Sequence, residues 1–156
     1  MKKIFFVFLL LTFLGLLLFS LFEVNRVSGS AMEPTLKSGQ LVIFRKFGVH
    51  NPQRGDIVLY KNKDQQDFIG RVIALPTESV RIENGNLYLD NNPGQYQVKE
   101  EYLASGTQTV AYEEGKWTKI GEFEYLVLMD KRQNVISVPA RLINRNNING
   151  VLFLKF

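Results

Sequence analysis

The chain divides into one long apolar run and a longer region in which apolar and polar residues alternate. From Ile4 to Phe22 nearly every residue is Ile, Leu, Phe or Val, and no charge interrupts the run. At ~1.5 Å rise per residue, about 19 helical residues span roughly the ~30 Å hydrocarbon core of a bilayer. The run therefore predicts a transmembrane helix.

The alternative for this run is a cleaved signal peptide, whose apolar core is shorter, about 7–15 residues, and precedes a small-x-small cleavage site. The sequence FEVNR at 22–26 offers no such site, so a retained anchor is preferred. Lys2 and Lys3 precede the run, which places the N-terminus in the cytoplasm by the positive-inside rule. We expect a single-pass cell-membrane protein, with a cytoplasmic tip and membrane helix over 1–23 and an extracellular domain over 24–156.

The region after the helix has the pattern of a mostly β domain. Period-two alternation and continuous apolar runs predict strands at 40–46, 56–60, 71–75, 123–129 and 151–156. Asn84-Gly85 separates two alternating segments and predicts a β-hairpin, because both residues tolerate the positive φ of a type I′ turn. Residues 90–121 are polar and irregular, and they predict extended excursions or an inserted hairpin. The size of the region suits one domain with its own core.

The amino-acid composition argues against several kinds of functional site. The chain has no cysteine and one histidine, so neither disulfides, thiolate chemistry nor a Cys- or His-based metal centre is expected. Its net charge of +4 comes from 19 basic and 15 acidic residues that are scattered along the chain. Such a distribution is typical of a solvated surface and predicts no nucleic-acid partner. No metal or cofactor is expected.

Several blocks, in this order, resemble the type I signal peptidase family, peptidase S26. They are VSGSAMEPTL, SGQLVIFRKF, RGDIVLY, FIGRVIALP, the Asn-Gly hairpin and EYLVLMDKR. With the single N-terminal anchor, the resemblance covers nearly the whole chain. It implies an all-β, signal peptidase-like barrel or sandwich domain behind one transmembrane helix. It also implies a Ser-Lys dyad near the membrane that removes signal peptides from exported proteins.

Both residues of the implied dyad are replaced in this chain. The family's nucleophilic serine aligns with Ala31, and its lysine aligns with Gly70 in GRVIALP. A serine needs a base, and lysine can serve only where desolvation lowers its pKa. Loss of the nucleophile alone costs roughly 10⁶ in rate, about 8 kcal/mol of barrier. A laboratory Ser→Ala change would explain Ala31 but not Gly70, so natural loss is preferred and the chain is interpreted as a pseudo-enzyme.

Other side chains do not replace the dyad. Ser28 and Ser30 share one face of an extended segment, whereas position 31 lies on the opposite face, so neither hydroxyl points where the nucleophile would. Lys61 and Lys63 belong to the polar stretch KNKDQQD, where an ammonium stays hydrated. His50 lies in a loop before Asn-Pro instead of at position 70.

The last family block has also changed. Relatives carry Gly-Asp-Asn-Arg and then Ser-x-Asp-Ser-Arg, polar residues that brace the dyad. This chain keeps Asp130 and Arg132. If Arg141 matches the final arginine, Pro139 and Ala140 replace the carboxylate and hydroxyl before it. Once no buried lysine has to be held, these bracing residues have no physical task.

The scaffold that would hold a peptide remains. Strand edges can pair with an extended segment, and backbone N–H groups near residue 31 can still receive a carbonyl. With glycine at 70, additional room for a ligand is expected. A simple turn without a ligand is the alternative. The candidate groove residues are Ser28, Gly29, Ser30, Ala31, Met32, Pro34, Phe68, Gly70 and Val72.

The resemblance thus implies a non-catalytic signal peptidase homologue that is an accessory or chaperone-like factor for exported proteins. Some degenerate members of the family help to assemble sortase-dependent pili. The expected partners are therefore the cytoplasmic membrane, an exported protein or pilus subunit, and a sortase. An active type I signal peptidase seen as an inactivated variant is one alternative, and a structural anchor without a ligand is another.

Overall fold

One helix precedes a region of β-strands in the computed structural model, which describes residues 2–49, 51–91, 94–132 and 135–156. The helix is α1 (Lys2–Leu21). The described strands are β1 (Phe22–Arg26), β2 (Leu41–Arg45), β3 (Ile57–Lys61), β4 (Asp67–Ala74), β5 (Ser79–Glu83), β6 (Asn86–Asp90), β7 (Gln95–Gln97), β8 (Thr118–Lys119), β9 (Glu124–Leu128), β10 (Leu142–Asn144) and β11 (Ile148–Lys155). Short 3₁₀ turns at Pro139–Arg141 and Arg145–Asn147 flank β10. His50, considered above as a base, lies outside the described residues.

The predicted N-terminal apolar helix is confirmed. Lys3–Leu21 is long and apolar enough to cross a membrane, and none of its described side chains is buried. The end of the apolar run differs from the prediction, because Phe22 already belongs to β1. An exposed apolar helix of this length is consistent with membrane anchoring.

The strands form two antiparallel sheets, so the all-β prediction is confirmed. The larger sheet has seven strands in the order β1-β2-β11-β3-β4-β9-β10. The smaller has four in the order β7-β6-β5-β8. The predicted hairpin is its β5–β6 pair, and Asn84 and Gly85 have φ of 51° and 77° as the turn type requires.

Two cores lie on opposite faces of β3 and β4, because successive strand residues point to opposite sides. The first, here called the loop-side core, contains Val27, Met32, Leu36, Val42, Phe44, Ile57 and Leu59, with Ile69 packed against it. The second, here called the strand-face core, contains Val49, Val58, Tyr60, Val72, Tyr125, Val127, Ile148 and Val151, with Phe68 and Ile143 packed against it. In β3, and in β4 from Phe68 to Val72, odd-numbered apolar residues thus face the first core and even-numbered ones face the second. Ile73 and Ala74 at the end of β4 belong to a third core, which also contains Val80, Ile82, Leu87 and Leu89 of the smaller sheet.

Several strands were not predicted from the sequence. β4 begins at Asp67, four residues before the predicted start, and β1 and β10 were not predicted at all. The described part of 90–121 contributes β7, β8 and a series of turns. β10 is too short for its alternation to stand out from the surrounding polar residues.

Candidate functional site

The segment 27–36 folds as consecutive turns held against the loop-side core. The Glu33 N–H donates to the Ser30 carbonyl at 3.1 Å, and the Leu36 N–H donates to the Met32 carbonyl at 2.9 Å. Met32 and Leu36 are buried apolar side chains, so they fix the loop to the domain. Gly29 has φ of +73°, a conformation that a side chain would disfavour. Ala31 is half-buried between these anchors.

A buried ion pair joins three of the blocks that carry the family resemblance. Arg71 Nε donates to Asp130 Oδ1 at 2.9 Å, and Arg71 Nη2 donates to Asp130 Oδ2 at 2.6 Å. Thr35 Oγ1 donates to Asp130 Oδ2 and accepts from Arg71 Nη2 at 3.0 Å. Arg71 Nη1 donates to the Gly55 carbonyl at 2.9 Å. Because the pair is bidentate and its other polar atoms are satisfied, it holds the loop, β4 and the end of β9 in one arrangement.

Lys131 makes two further contacts with the loop. Its backbone N–H donates to the Ala31 carbonyl at 2.9 Å, and its ammonium donates to Ser30 Oγ at 3.0 Å. The sequence offers Ser30 as a candidate nucleophile, but no local signal in it pairs Ser30 with Lys131. A Ser-Lys contact of this length is within hydrogen-bond reach for proton transfer. An ammonium is a donor only, so activation of the serine would need the neutral amine.

The space beside Gly70 is filled by the strand-face core. A Cβ at this position would lie 2.6 Å from Val127 Cγ1, 3.2 Å from Tyr60 Cε1 and 3.3 Å from the Leu128 carbonyl oxygen. The expectation of additional room for a ligand is therefore wrong. Position 70 lies on the face of β4 opposite to that of Arg71. On that face, Val127 and Tyr60 pack directly against the glycine.

Part of the irregular segment 90–121 packs against this site. The Tyr102 ring lies 4.0 Å from the Arg71 guanidinium carbon, and the Tyr102 hydroxyl donates to Glu100 Oε1 at 2.8 Å. Arg132 Nη2 donates to the same carboxylate oxygen at 2.6 Å, and Arg132 Nε donates to Thr109 Oγ1 at 3.3 Å. Burial raises the pKa of Tyr102 above its ordinary value of 10.0, and the nearby Glu100 carboxylate raises it further. No local periodicity marked Glu100, Tyr102 or Thr109 in the sequence.

The candidate groove residues are distributed between the surface and the interior. Ser28, Gly29 and Pro34 are exposed, whereas Met32, Gly70 and Val72 are buried. Ser30, Ala31 and Phe68 are half-buried. A peptide would therefore meet the exposed and half-buried members first, and the groove stays a prediction.

The remaining candidates have other surroundings. Lys61 Nζ donates to the Gln65 carbonyl at 3.3 Å and pairs with Asp67 at 3.1 Å, close to the β3–β4 turn. Lys63 is exposed in the same turn. Across the described ranges, no group of three or more His, Asp or Glu side chains is placed to hold a metal ion.

Comparison with known proteins decides the family. The profile described as signal peptidase, peptidase S26, matches residues 1–155. The chain belongs to the signal peptidase family, peptidase S26. The match includes the apolar helix, the loop with Ala31 and the strand with Gly70, so the positions discussed above lie inside the family region.

Individual relatives agree with this assignment. The chain is 34% identical to a probable signal peptidase I-2 from Synechocystis over 86% of this chain and 62% of that protein. It is 30% identical to signal peptidase I P from Bacillus subtilis subsp. natto over 96% of this chain and 81% of that protein. The crystal structure of a signal peptidase I from Enterococcus faecalis matches with a TM-score of 0.51 and 26% identity, over 66% of this chain and 97% of that one. The mostly β domain is thus the signal peptidase fold.

Proposed function

We propose that this chain is a signal peptidase homologue without signal-peptide cleavage activity, acting as an accessory or chaperone-like factor for exported proteins. The proposed clients are pilus subunits joined by a sortase, with the sortase as a further partner. The observation that carries the proposal is the alanine at position 31, where the family resemblance places the nucleophilic serine. An alanine methyl has no hydroxyl, and the loop that presents it is otherwise well fixed.

The surroundings of Gly70 support the same proposal. The resemblance places the family's lysine base here, and Val127 and Tyr60 now occupy the space that its stem would need. Two of the partners that would have to move are core side chains, and the third is backbone. Restoring a serine at residue 31 would therefore not by itself rebuild a base.

The proposed location is the cell membrane, with the N-terminus in the cytoplasm and the β domain outside. Lys2 and Lys3 at the start of α1 favour this orientation. β1 begins at Phe22, immediately after the helix, so the domain would lie at the membrane surface where exported chains emerge. This placement suits a factor that meets its clients during or after export.

A client segment would bind along the exposed part of the loop and the first half of β4. β4 pairs with β3 from Asp67 to Arg71, whereas its described pairing with β9 begins only at Arg71. The β9-side edge of β4 before Arg71 therefore lies outside the described strand pairing. An extended peptide can add to such an edge through main-chain hydrogen bonds.

A cleavage assay tests the loss of catalysis. The full chain in detergent is incubated with a preprotein that carries a small-x-small cleavage site, beside an active signal peptidase and a protein-free control. No product above the protein-free control is expected. Cleavage at the authentic site would reject the proposal.

A second candidate function is an active peptidase that uses Ser30 and Lys131, and their 3.0 Å contact favours it. If the assay gives product, Ser30→Ala and Lys131→Met should each abolish it. Product that survives both substitutions would exclude this pair as the dyad. The proposed accessory role predicts no cleavage product from the parent chain or from either variant.

Client capture is tested separately in cells. Ser28→Arg places a bulky charge on the exposed loop, and Ser105→Arg places the same change on an exposed turn elsewhere. Loss of pilus polymer and of co-purified subunit is expected for the first variant alone, at equal amounts of protein in the membrane. Gly70→Trp is unsuitable for this purpose, since the position is packed into the core.

A further inference from the structure

The edge of the seven-stranded sheet next to α1 has one apolar face that the described part of the chain leaves exposed. Val24, Ile43 and Leu154 are register partners across β1, β2 and β11, so their side chains share this face. Val24 is 61% exposed and Leu154 is 46% exposed. Val42 and Phe44 point to the opposite face and are buried in the loop-side core. The sheet is thus packed on one side here and exposed on the other.

Three phenylalanines continue this apolar face to the end of the helix. The Phe22 ring centroid lies 5.8 Å from that of Phe47 and 5.1 Å from that of Phe153. Phe47 and Phe153 are about half exposed, although such large apolar side chains gain free energy from burial. A contiguous exposed apolar surface of this kind marks a contact with another protein or with a membrane.

A cavity of about 740 Å³ lies where this face meets α1. Phe19 of the helix forms part of its wall, together with Phe22 of β1 and Phe153 of β11. The volume is within the range of small-molecule sites, about 300–1,000 Å³. Glu23 and Lys46 are its charged lining residues. The cavity therefore combines an apolar wall with one acidic and one basic group.

The charged residues of these strands are mostly basic. Lys46 Nζ lies 3.8 Å from Glu23 Oε2, which is beyond hydrogen-bond range, and both side chains are about one-third exposed, so the pair is weak. The other charged residues of β1, β2 and β11 are Arg26, Arg45 and Lys155, and each donates to a backbone carbonyl. A single carboxylate thus stands against four cations, and this edge of the domain carries excess positive charge.

The helix indicates which molecule meets this surface. α1 is long and apolar enough for a bilayer core, and β1 begins directly after its last residue. The Lys46 N–H donates to the Leu21 carbonyl at 2.8 Å, which ties the end of β2 to the end of the helix. Lipid around the helix therefore reaches the cavity at Phe19, and it supplies acyl chains for the apolar wall and a phosphate for the basic group. Neither an exported peptide nor a second copy of the chain has this continuity with the helix.

We propose that the cavity takes an acyl chain of an anionic phospholipid whose phosphate pairs with Lys46, and that the apolar face of β1, β2 and β11 rests in the bilayer interface. Excess positive charge on these strands favours an anionic headgroup over a zwitterionic one. The proposal goes beyond the proposed function, which attaches the chain to the membrane through α1 and concerns exported clients. It does not depend on whether the chain cleaves signal peptides.

Quenching of a single tryptophan by brominated lipid tests the proposal on the full chain in lipid nanodiscs. Trp117→Phe removes the natural tryptophan, and Phe153→Trp or Phe47→Trp then places a reporter on the apolar face. Two reporters are used so that the result does not depend on one variant folding. Phe13→Trp in α1 is the positive control. Tyr112→Trp, on an exposed turn beside the smaller sheet, is the matched negative control.

Labelled lipids connect the contact to one headgroup and one side chain. The discs hold equal amounts of phosphatidylglycerol and phosphatidylcholine, and bromine labels the acyl chains of only one of them at a time. We expect both face reporters to be quenched, at least about twofold more by labelled phosphatidylglycerol. Lys46→Gln should abolish this preference without changing the quenching of Phe13→Trp. Lys119→Gln removes the same charge from an exposed position in the smaller sheet and should leave the preference unchanged.

Several outcomes would overturn the proposal. Face reporters quenched no more than Tyr112→Trp would place the apolar face outside the bilayer. A reporter shielded from aqueous iodide but not quenched by lipid would mean that a second copy or a peptide covers the face. Equal quenching by the two labelled lipids, or a preference that survives Lys46→Gln, would reject the anionic phospholipid. None of these measurements involves cleavage or client capture, so this proposal and the proposed function fail separately.

Discussion

Replacing Gly70 by alanine tests whether the position assigned to the family's lysine has been closed by core packing. The added Cβ would lie 2.6 Å from Val127 Cγ1, a separation that requires Val127 or the backbone of β4 to shift. Tyr60 Cε1 at 3.2 Å and the Leu128 carbonyl oxygen at 3.3 Å limit the direction of that shift. The substitution is therefore small in volume but directed into a filled space.

The expected loss follows from the cost of overpacking a core, which is about 1–3 kcal/mol of unfolding free energy for extra methyl or methylene groups. Val127→Ala alone also destabilises, by about 1.5–3 kcal/mol, since it removes buried methyl groups and leaves a cavity. In the double variant the new methyl enters the vacated space. The loss of unfolding free energy in the double variant should then be smaller than the sum of the two single losses, with a coupling of about 1–2 kcal/mol.

The assay is urea unfolding of the full chain in detergent, followed by the fluorescence of Trp117, the single tryptophan. Gly94→Ala is the matched control, because a Cβ at Gly94 would meet nothing within 4 Å. Unfolding free energies are compared only between proteins whose free energy falls with urea concentration at the same slope. An equal slope indicates that unfolding exposes the same surface area. The parent and all four variants should show one cooperative transition.

Two results would refute the reasoning about Gly70. The first is a Gly70→Ala protein as stable as the Gly94→Ala control, which would mean that the space is open. The second is strict additivity in the double variant, which would mean that Val127 is not the side chain in the way. The first result would restore the expectation of room for a ligand beside position 70, and the second would leave Tyr60 and the Leu128 carbonyl as the contacts that fill it.

Three further predictions follow from the same contacts. Ala31→Ser and Gly70→Lys should each leave signal-peptide cleavage at the level of the protein-free control. The first supplies a nucleophile without a base, and the second supplies a base without a nucleophile. Turnover from Ala31→Ser alone would mean that another residue acts as the base. Asp130→Ala should lower the unfolding free energy by about 3–5 kcal/mol, since it leaves a buried guanidinium unpaired, and a loss below about 1 kcal/mol in urea unfolding would contradict the role given to this pair. The raised pKa of Tyr102 means that the folded state keeps a proton that the unfolded state loses near pH 10, so stability should fall as pH rises above about 10. Tyr102→Phe should flatten that part of the stability profile, and an unchanged slope would assign it to other groups.

The sequence alone determined the elements whose signals are local. The apolar run gave the N-terminal helix, because length and the absence of charge suffice to recognise it. Asn84-Gly85 gave the β5–β6 hairpin, because the turn geometry depends on two adjacent residues. The order of motifs also indicated the family, which the matches to residues 1–155 confirm.

Only the tertiary structure decided which side chains surround the site. The contact between Ser30 and Lys131 joins residues 101 positions apart, and Tyr102 reaches Arg71 from a segment without periodicity. The space beside Gly70 could not be judged from the glycine itself, since it depends on Val127 in another strand. The pairing of β4 with β9 sets that distance, and no local pattern within β4 specifies the register of a strand more than fifty residues away.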